Sequence, residues 1–242
     1  MYSKLLKKNG LLNLIGGSDY NFRTATTTEV EIHSDFERLV KQAKIKNPKE
    51  IYTGHQTHLT NVAYCDGENG EPFIIGRQFV ETDGLITNKE GIALAVKFAD
   101  CTPIVLFDPI KKVQAIVHSG WRGTVGEISL EALRKMTEEF NSNIEDVLAY
   151  VGPSIAQDNY EVGVEVYEAF RDNPDRDAFF KPHGEKFLMD MAFANTKLLL
   201  AAGIAEDNIE VETATTYTDD RLHSARQEGN EYGLNAMVTC IV

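Results

Sequence analysis

Two side chains in the stretch ADCTPIVLFDPIKKVQAIVHSGWRG, residues 99–123, are of types that bind soft metal ions or act as nucleophile and base. Cys101 stands at the entrance to the apolar run TPIVLF, and His118 at the exit of the run VQAIV. Asp108 and Pro109 suit the first two positions of a type I turn, so the two runs read as an antiparallel hairpin. A turn centred between residues 109 and 110 sets Cys101 directly opposite His118, with Cβ atoms roughly 5 Å apart on one face. At that spacing a thiolate and an imidazole share one ion. A slip of one residue in register would turn one of them away.

A catalytic zinc takes three protein ligands and keeps a fourth position for water or substrate. The third candidate lies in GHQTHLTNV, which holds His55 and His58. On an extended strand these two point to opposite faces, so at most one meets the site, and spacing leaves the choice open. Taken singly, Cys101 is the kind of residue that serves as a small buried hydrophobe, and His118 the kind that hydrogen-bonds inside a core. Their pairing carries the metal reading. Cys65, Cys240, His33 and His183 read as structural.

The elements that must position these groups follow from periodicity. SDFERLVKQAKI (34–45) opens on a Ser-Asp cap and places Phe36, Leu39, Val40 and Ala43 on one helical face. EIYTGHQTH and TNVAYCD read as short strands. GLITN, GIALAVKFA, PIVLFD, VQAIVHS and VLAYVG read as strands, several buried on both faces. GEISLEALRKMTEEFN, VGVEVYEAFRD and MDMAFANTKLLLAAG read as helices, the last ended by Gly203. NIEVETATTY is a late strand, and DNPDRDAFFKPHGEK a long loop. Strands and helices interleave, so the expected fold class is α/β: a layered sandwich of mixed β-sheets covered by helices, in a single domain over residues 1–242.

Composition narrows the function. With 24 Lys plus Arg against 37 Asp plus Glu, the formal charge is -13, so no basic stripe serves a nucleic acid or an anionic membrane. Three cysteines imply no disulfide framework. GLLNLIGG near the start is broken by Asn13 and glycines, which argues against a secretory signal, and no run has membrane-spanning length. The expected location is cytoplasmic.

Seven blocks in order, QTH (56–58), TDGLIT (82–87), ADCTP (99–103), HSGWRG (118–123), VGPSI (151–155), YEVG (160–163) and SARQEG (224–229), resemble the bacterial laccase-domain family, also called the polyphenol oxidase or YfiH-type family. The likeness runs from about residue 50 to the end of the chain. Its members include purine nucleoside phosphorylases and a peptidoglycan editing factor. The resemblance implies that His58, Cys101 and His118 bind zinc and are needed for activity, and so selects His58 over His55. It also implies an α/β sandwich. Three features depart from the pattern: ATTY at 214–217 replaces a CT-x-C sequence, Asn159 replaces a cysteine before YEVG, and the amino-terminal region after GGSDYNF is short.

The resemblance further implies small-molecule partners, purine nucleosides and phosphate. The reactions are phosphorolysis of adenosine, inosine, guanosine or methylthioadenosine, and deamination of adenosine to inosine. A zinc held by two imidazoles and one thiolate keeps one net positive charge and activates water for attack at C6. Asp100 is the candidate proton carrier, with a structural turn as the plainer role. Arg122 and Arg226 are candidates for binding phosphate by charge and placement, against ordinary salt bridges.

Three rivals use the same residues. A copper polyphenol oxidase would need further imidazoles. Of the six histidines, His33, His55, His183 and His223 are left over, and no two form an H-x-H pair. A metal-free Cys-His hydrolase acting on peptidoglycan precursors would use Cys101 and His118 but has no need of His58. A zinc-stabilised binding module would need a fourth ligand, for which His223 is the one spare.

Overall fold

The computed structural model describes residues 1–242. Its first sheet runs β1 (Leu11–Gly16), β15 (Asn235–Ile241), β7 (Ile92–Phe98), β2 (Glu50–Gly54), β5 (Gly76–Phe79), β4 (Glu71–Phe73) from edge to edge. The second runs β14 (Ile209–Val211), β10 (Leu148–Val151), β8 (Thr102–Asp108), β9 (Val113–Ser119), β6 (Gly84–Thr87), β3 (Val62–Tyr64). Both are mixed: β2 is parallel to β7 and β5, and β3 to β6, whereas β7–β15 and β8–β9 are antiparallel. A small third sheet joins β11 (Glu161–Val162), β13 (Lys186–Met189) and β12 (Phe180–His183).

Period-two alternation explains how the layers stack. Leu94, Val96 and Phe98 of β7 share a core with Val105 and Phe107 of β8 and Ile116 of β9, which locks the two sheets face to face. The opposite face of the first sheet, Ala93 and Ala95 among others, packs on Ile32, Phe36 and Leu39 of the helix Glu29–Gln42. The outer face of the second sheet packs on Ile128, Ala132 and Met136 of the helix Ile128–Phe140. All seven residues of β8 and of β9 are buried, which is why these runs lack polar alternation. The result is the layered α/β sandwich expected from the sequence. No helix is long and apolar enough to cross a membrane.

Several local expectations change. The first long helix starts at Glu29, not at Ser34: Thr28 and Glu31 form a capping box that outcompetes the Ser-Asp cap. The predicted loop at 172–186 holds the short helix Arg176–Phe179 and part of the β12–β13 hairpin, because Phe179 and Phe180 bury into a satellite core. NIEVETATTY is strand only over Ile209–Val211. The terminal strands β1 and β15 pair with each other, an element the sequence reading did not predict. Gly203, at φ +100°, does follow the last turn of the helix Met191–Ala201.

Candidate metal centre and its cavity

Four pieces of backbone build the site. The chain passes from β2 in the first sheet to β3 in the second through residues 55–61, from β5 to β6 through 80–83, and from β7 to β8 through 99–101. These crossovers gather at one end of the sandwich, beside the end of β9. His58 comes from the first crossover, Cys101 from the third, and His118 from β9.

The hairpin register differs from the expected one. Asp108 pairs with Val113, leaving a four-residue loop, and His118 lies opposite Pro103 rather than Cys101. Asp108 accepts the N–H groups of Ile110 and Lys111 at 2.8 and 2.9 Å, which favours the longer loop. The shift is by two positions along the pairing, so side-chain parity survives and Cys101 stays on the face of His118 as a diagonal neighbour. The strand argument for His58 does not apply, because β2 ends at Gly54 and His58 sits in a loop at φ +63°.

The donor atoms of His58, Cys101 and His118 all lie within 4.8 Å of one another. Metal–donor lengths are ~2.0–2.3 Å, so one ion is within reach of the set. The His58 and His118 rings meet edge to face with centroids 4.9 Å apart. No fourth His, Cys, Asp or Glu joins the cluster. His223, the spare considered for a structural site, instead faces the Tyr20 carbonyl at 2.7 Å and Glu228 at 3.1 Å. A cluster of three soft donors, with His118 buried and His58 exposed, can hold a metal and leave it open on one side.

Charge couples the Cys101 thiol to His118. Burial would raise the Cys101 thiol, but the charge of His118 and hydrogen bonds from both imidazoles outweigh it and hold the thiol below its ordinary value. Burial would lower His118, but the Cys101 charge and Asp83 push it up. The pair is thereby held as thiolate and imidazolium; the thiolate is the form that binds metal, and an ion taken up by the trio displaces the proton from His118.

Asp83 is the residue that sequence reasoning missed. It is 1% exposed and its carboxylate faces His118 Nδ1 at 2.9 Å, which leaves His118 Nε2 for the ion. It also accepts the N–H groups of Thr57, His58 and Leu59 at 2.9, 3.0 and 3.0 Å. One carboxylate therefore orients one donor and fastens the loop that carries another. Burial opposes its ionisation, yet the bonds from His118, Thr57 and Leu59 keep its carboxyl below the ordinary value. The available signal was a lone acid, in TDGLIT, leading into an apolar strand.

Asp100 stands in left-handed backbone at φ +85°. Its carboxylate accepts from the Thr216 hydroxyl at 2.6 Å and the Arg226 N–H at 2.7 Å, so it braces the Cys101 turn. Thr216 belongs to ATTY, which thus supports the site from behind. Arg122 and Arg226 are exposed. Arg122 stacks on Trp121 at 4.2 Å, and Arg226 lies 5.4 Å from the Tyr160 ring centre. Tyr160 is raised by burial and then by the Cys101 charge, while the charges of Arg226 and Arg122 oppose the rise. Neither lines the cavity onto which the trio opens.

That cavity, of about 220 Å³, is lined by the trio with His55, Lys97, Phe98, Tyr232 and Leu234 among others. Gln56 closes one wall by bonding the backbone of Lys97 twice, at 2.6 and 2.9 Å. Gly120 makes the centre possible: a Cβ there would stand 2.9 Å from Cys101 Sγ and 3.1 Å from His58 Cδ2. Gly120→Ala is expected to weaken metal binding by about tenfold or more while the fold persists, since Ala at a helix N-cap costs ~1 kcal/mol. Chelator competition together with thermal unfolding reads both, and a variant that holds metal like the parent would show that the crowding is absorbed elsewhere.

A layered α/β sandwich with a two-histidine, one-cysteine cluster at its open end defines the class. Residues 19–242 match the family described as multi-copper polyphenol oxidoreductase laccase, and the chain belongs to that family. It is 34% identical over 206 residues to a purine nucleoside phosphorylase of Bacteroides thetaiotaomicron, covering 81% of this chain and 74% of that protein. It is 36% identical over 191 residues to adenosine deaminase RL5 from an unknown prokaryotic organism, covering 76% and 72%. The crystal structure of YlmD from Geobacillus stearothermophilus has the same fold, with a TM-score of 0.87 at 22% identity over 99% of this chain and 94% of that one.

Proposed function

We propose that this protein is a zinc-dependent purine nucleoside phosphorylase that also deaminates adenosine. The observation that carries the reading is the His58–Cys101–His118 cluster opening onto a cavity with aromatic and apolar walls. The names of the two relatives above, a phosphorylase and a deaminase, support it. When bound, zinc supplies Lewis acidity and lowers the pKa of water.

The chain's own residues do the rest. Tyr232 and Leu234, both half-buried, offer a wall for a planar purine. Asp83 holds His118 in one orientation. His55 lines the cavity with no side-chain hydrogen bond, and so is placed to give or take a proton. In phosphorolysis a phosphate oxygen bonds to C1′ of the ribose as the bond to the base nitrogen breaks, and the base takes up a proton. In deamination water adds at C6 and ammonia leaves. Arg122 and Arg226 are the exposed cations that draw phosphate toward the site.

The remaining histidines argue for one mononuclear centre over an oxygen-reducing copper assembly. His33 lies beside Glu37, His183 beside Glu161 and His223 beside Glu228, while His55 lines the trio's own cavity, and none of the four joins a second cluster. All three cysteines are free, which suits a reducing compartment such as the cytoplasm. One observation favours a second reading. Cys101, His118 and Asp83 line up as nucleophile, base and orienting acid, the order of a Cys-His hydrolase acting on peptidoglycan precursors. Its weakness is His58, which such a hydrolase leaves without a task.

The deciding experiment incubates metal-assayed protein with adenosine, inosine and methylthioadenosine, with and without phosphate. Free base is expected only when phosphate is present, with ammonia from adenosine in either case. Equal base release in plain buffer would refute the phosphorylase. Bound zinc with neither product would point to a binding module.

A further inference from the structure

We propose that Lys97 is the residue that binds a phosphate oxyanion inside the cavity beside the His58–Cys101–His118 centre. This rests on the nucleoside reading above and assigns its anion site to a group no sequence block indicated. Lys97 is the only charged residue in GIALAVKFA, and occupies the next-to-last position of β7. It alternates with Ala93 and Ala95 on one face of the strand, and it lines the same cavity as the three donors.

Its ammonium has no carboxylate within salt-bridge distance and no hydrogen-bond partner in the protein, and it stands 5.6 Å from the centre of the Phe73 ring. Burial lowers its pKa to about 8, so the group is still mostly protonated at pH 7. A half-buried, uncompensated ammonium is costly, and it is retained where an anion repays the lost solvation. No acidic side chain lines this cavity, although the chain carries 37 Asp plus Glu against 24 Lys plus Arg. The nearest acid to the trio, Asp83, is committed to His118 and the loop amides. Two neutral imidazoles and one thiolate leave a divalent ion with one net positive charge, to which Lys97 adds a second. Inorganic phosphate, the co-substrate of phosphorolysis, matches that charge; the phosphoryl group of a nucleotide shares its chemistry. Arg122 and Arg226 lie outside the cavity and are exposed, which fits them for attraction more than for seating the ion.

The test uses zinc-loaded protein and Lys97→Met, which keeps length and apolar packing, with Lys97→Arg as the conservative variant. Calorimetry measures binding of inorganic phosphate and, separately, of adenosine monophosphate; kinetics measure KM for phosphate and for nucleoside. The expected result is a loss of about tenfold or more in phosphate affinity and a matching rise in phosphate KM for Lys97→Met, because one charge-assisted contact is removed. Zinc content and nucleoside KM should hold, the melting temperature should not fall, since a costly buried charge is removed, and Lys97→Arg should recover much of the binding. A loss confined to the nucleotide would assign the same oxyanion site to a phosphorylated substrate. Unchanged binding of both anions in Lys97→Met, or no binding by the parent protein, would overturn the proposal. Phosphate binding that depends on Lys97 in a protein without phosphorolysis would instead sink the nucleoside reading and leave this site standing.

Discussion

Cys101→Ala is expected to strip the protein of its metal and its activity together. The parent should carry close to one zinc per chain after purification without added metal, and the variant less than about a tenth of that. Losing a group that merely supports a ligand costs ~10–100-fold in affinity, and removing one of three donors must cost more. Elemental analysis of both proteins reads the outcome. The measurement also separates the two enzymatic readings. In a metal-free hydrolase the same substitution abolishes turnover, but there is no bound zinc to lose. Zinc retained at parent levels in the variant would take Cys101 out of the ligand set.

Asp83→Asn is the second large effect, and it reaches two ligands through one oxygen pair. The amide lacks the charge that fixes His118, and its NH2 would face backbone donors: Thr57 and Leu59 both give their N–H groups to Oδ2. Metal affinity should fall ~10–100-fold, with a stability loss of about 2–4 kcal/mol from unsatisfied buried groups. Competition with a chelator measures the first, and amide exchange at residues 57–59 shows whether the loop loosens. Protection and affinity both equal to the parent would reduce Asp83 to a bystander.

The same residue sets an acid limit. Its folded-state pKa lies below the ordinary 3.8. Its contribution is therefore complete above that value and is lost as the pH falls through the lower folded value. The stability gap between parent and Asp83→Asn should close as the pH is taken from about 5 toward about 2.

How much of this was legible beforehand differs by residue. Cys101 and His118 were legible as a pair because alternation along strands is local, and a register shift of two positions leaves parity intact. Their true relation, diagonal and not directly opposed, depended on an Asp108 side chain that lengthens the loop. His58 could not be chosen by spacing, since its backbone is left-handed and outside any strand; only the family likeness selected it, and the fold brings it to the cluster. Lys97 was visible as a lone charge in an apolar run, yet its lack of a partner is a fact of the folded surroundings.

By itself the sequence determined the α/β class, the buried strands, the helices that cover them and the thiol and imidazole at one end of a hairpin, since hydrophobic period and turn chemistry act over a few residues. Only the tertiary structure decided which distant segments share an edge. Residues 11–16 pair with 236–241, and Asp83 reaches His118 across 35 positions. Such partners are selected by the burial of whole sheet faces and by the cost of leaving a buried carboxylate unpaired, and both of those exist only once the two sheets have closed on each other.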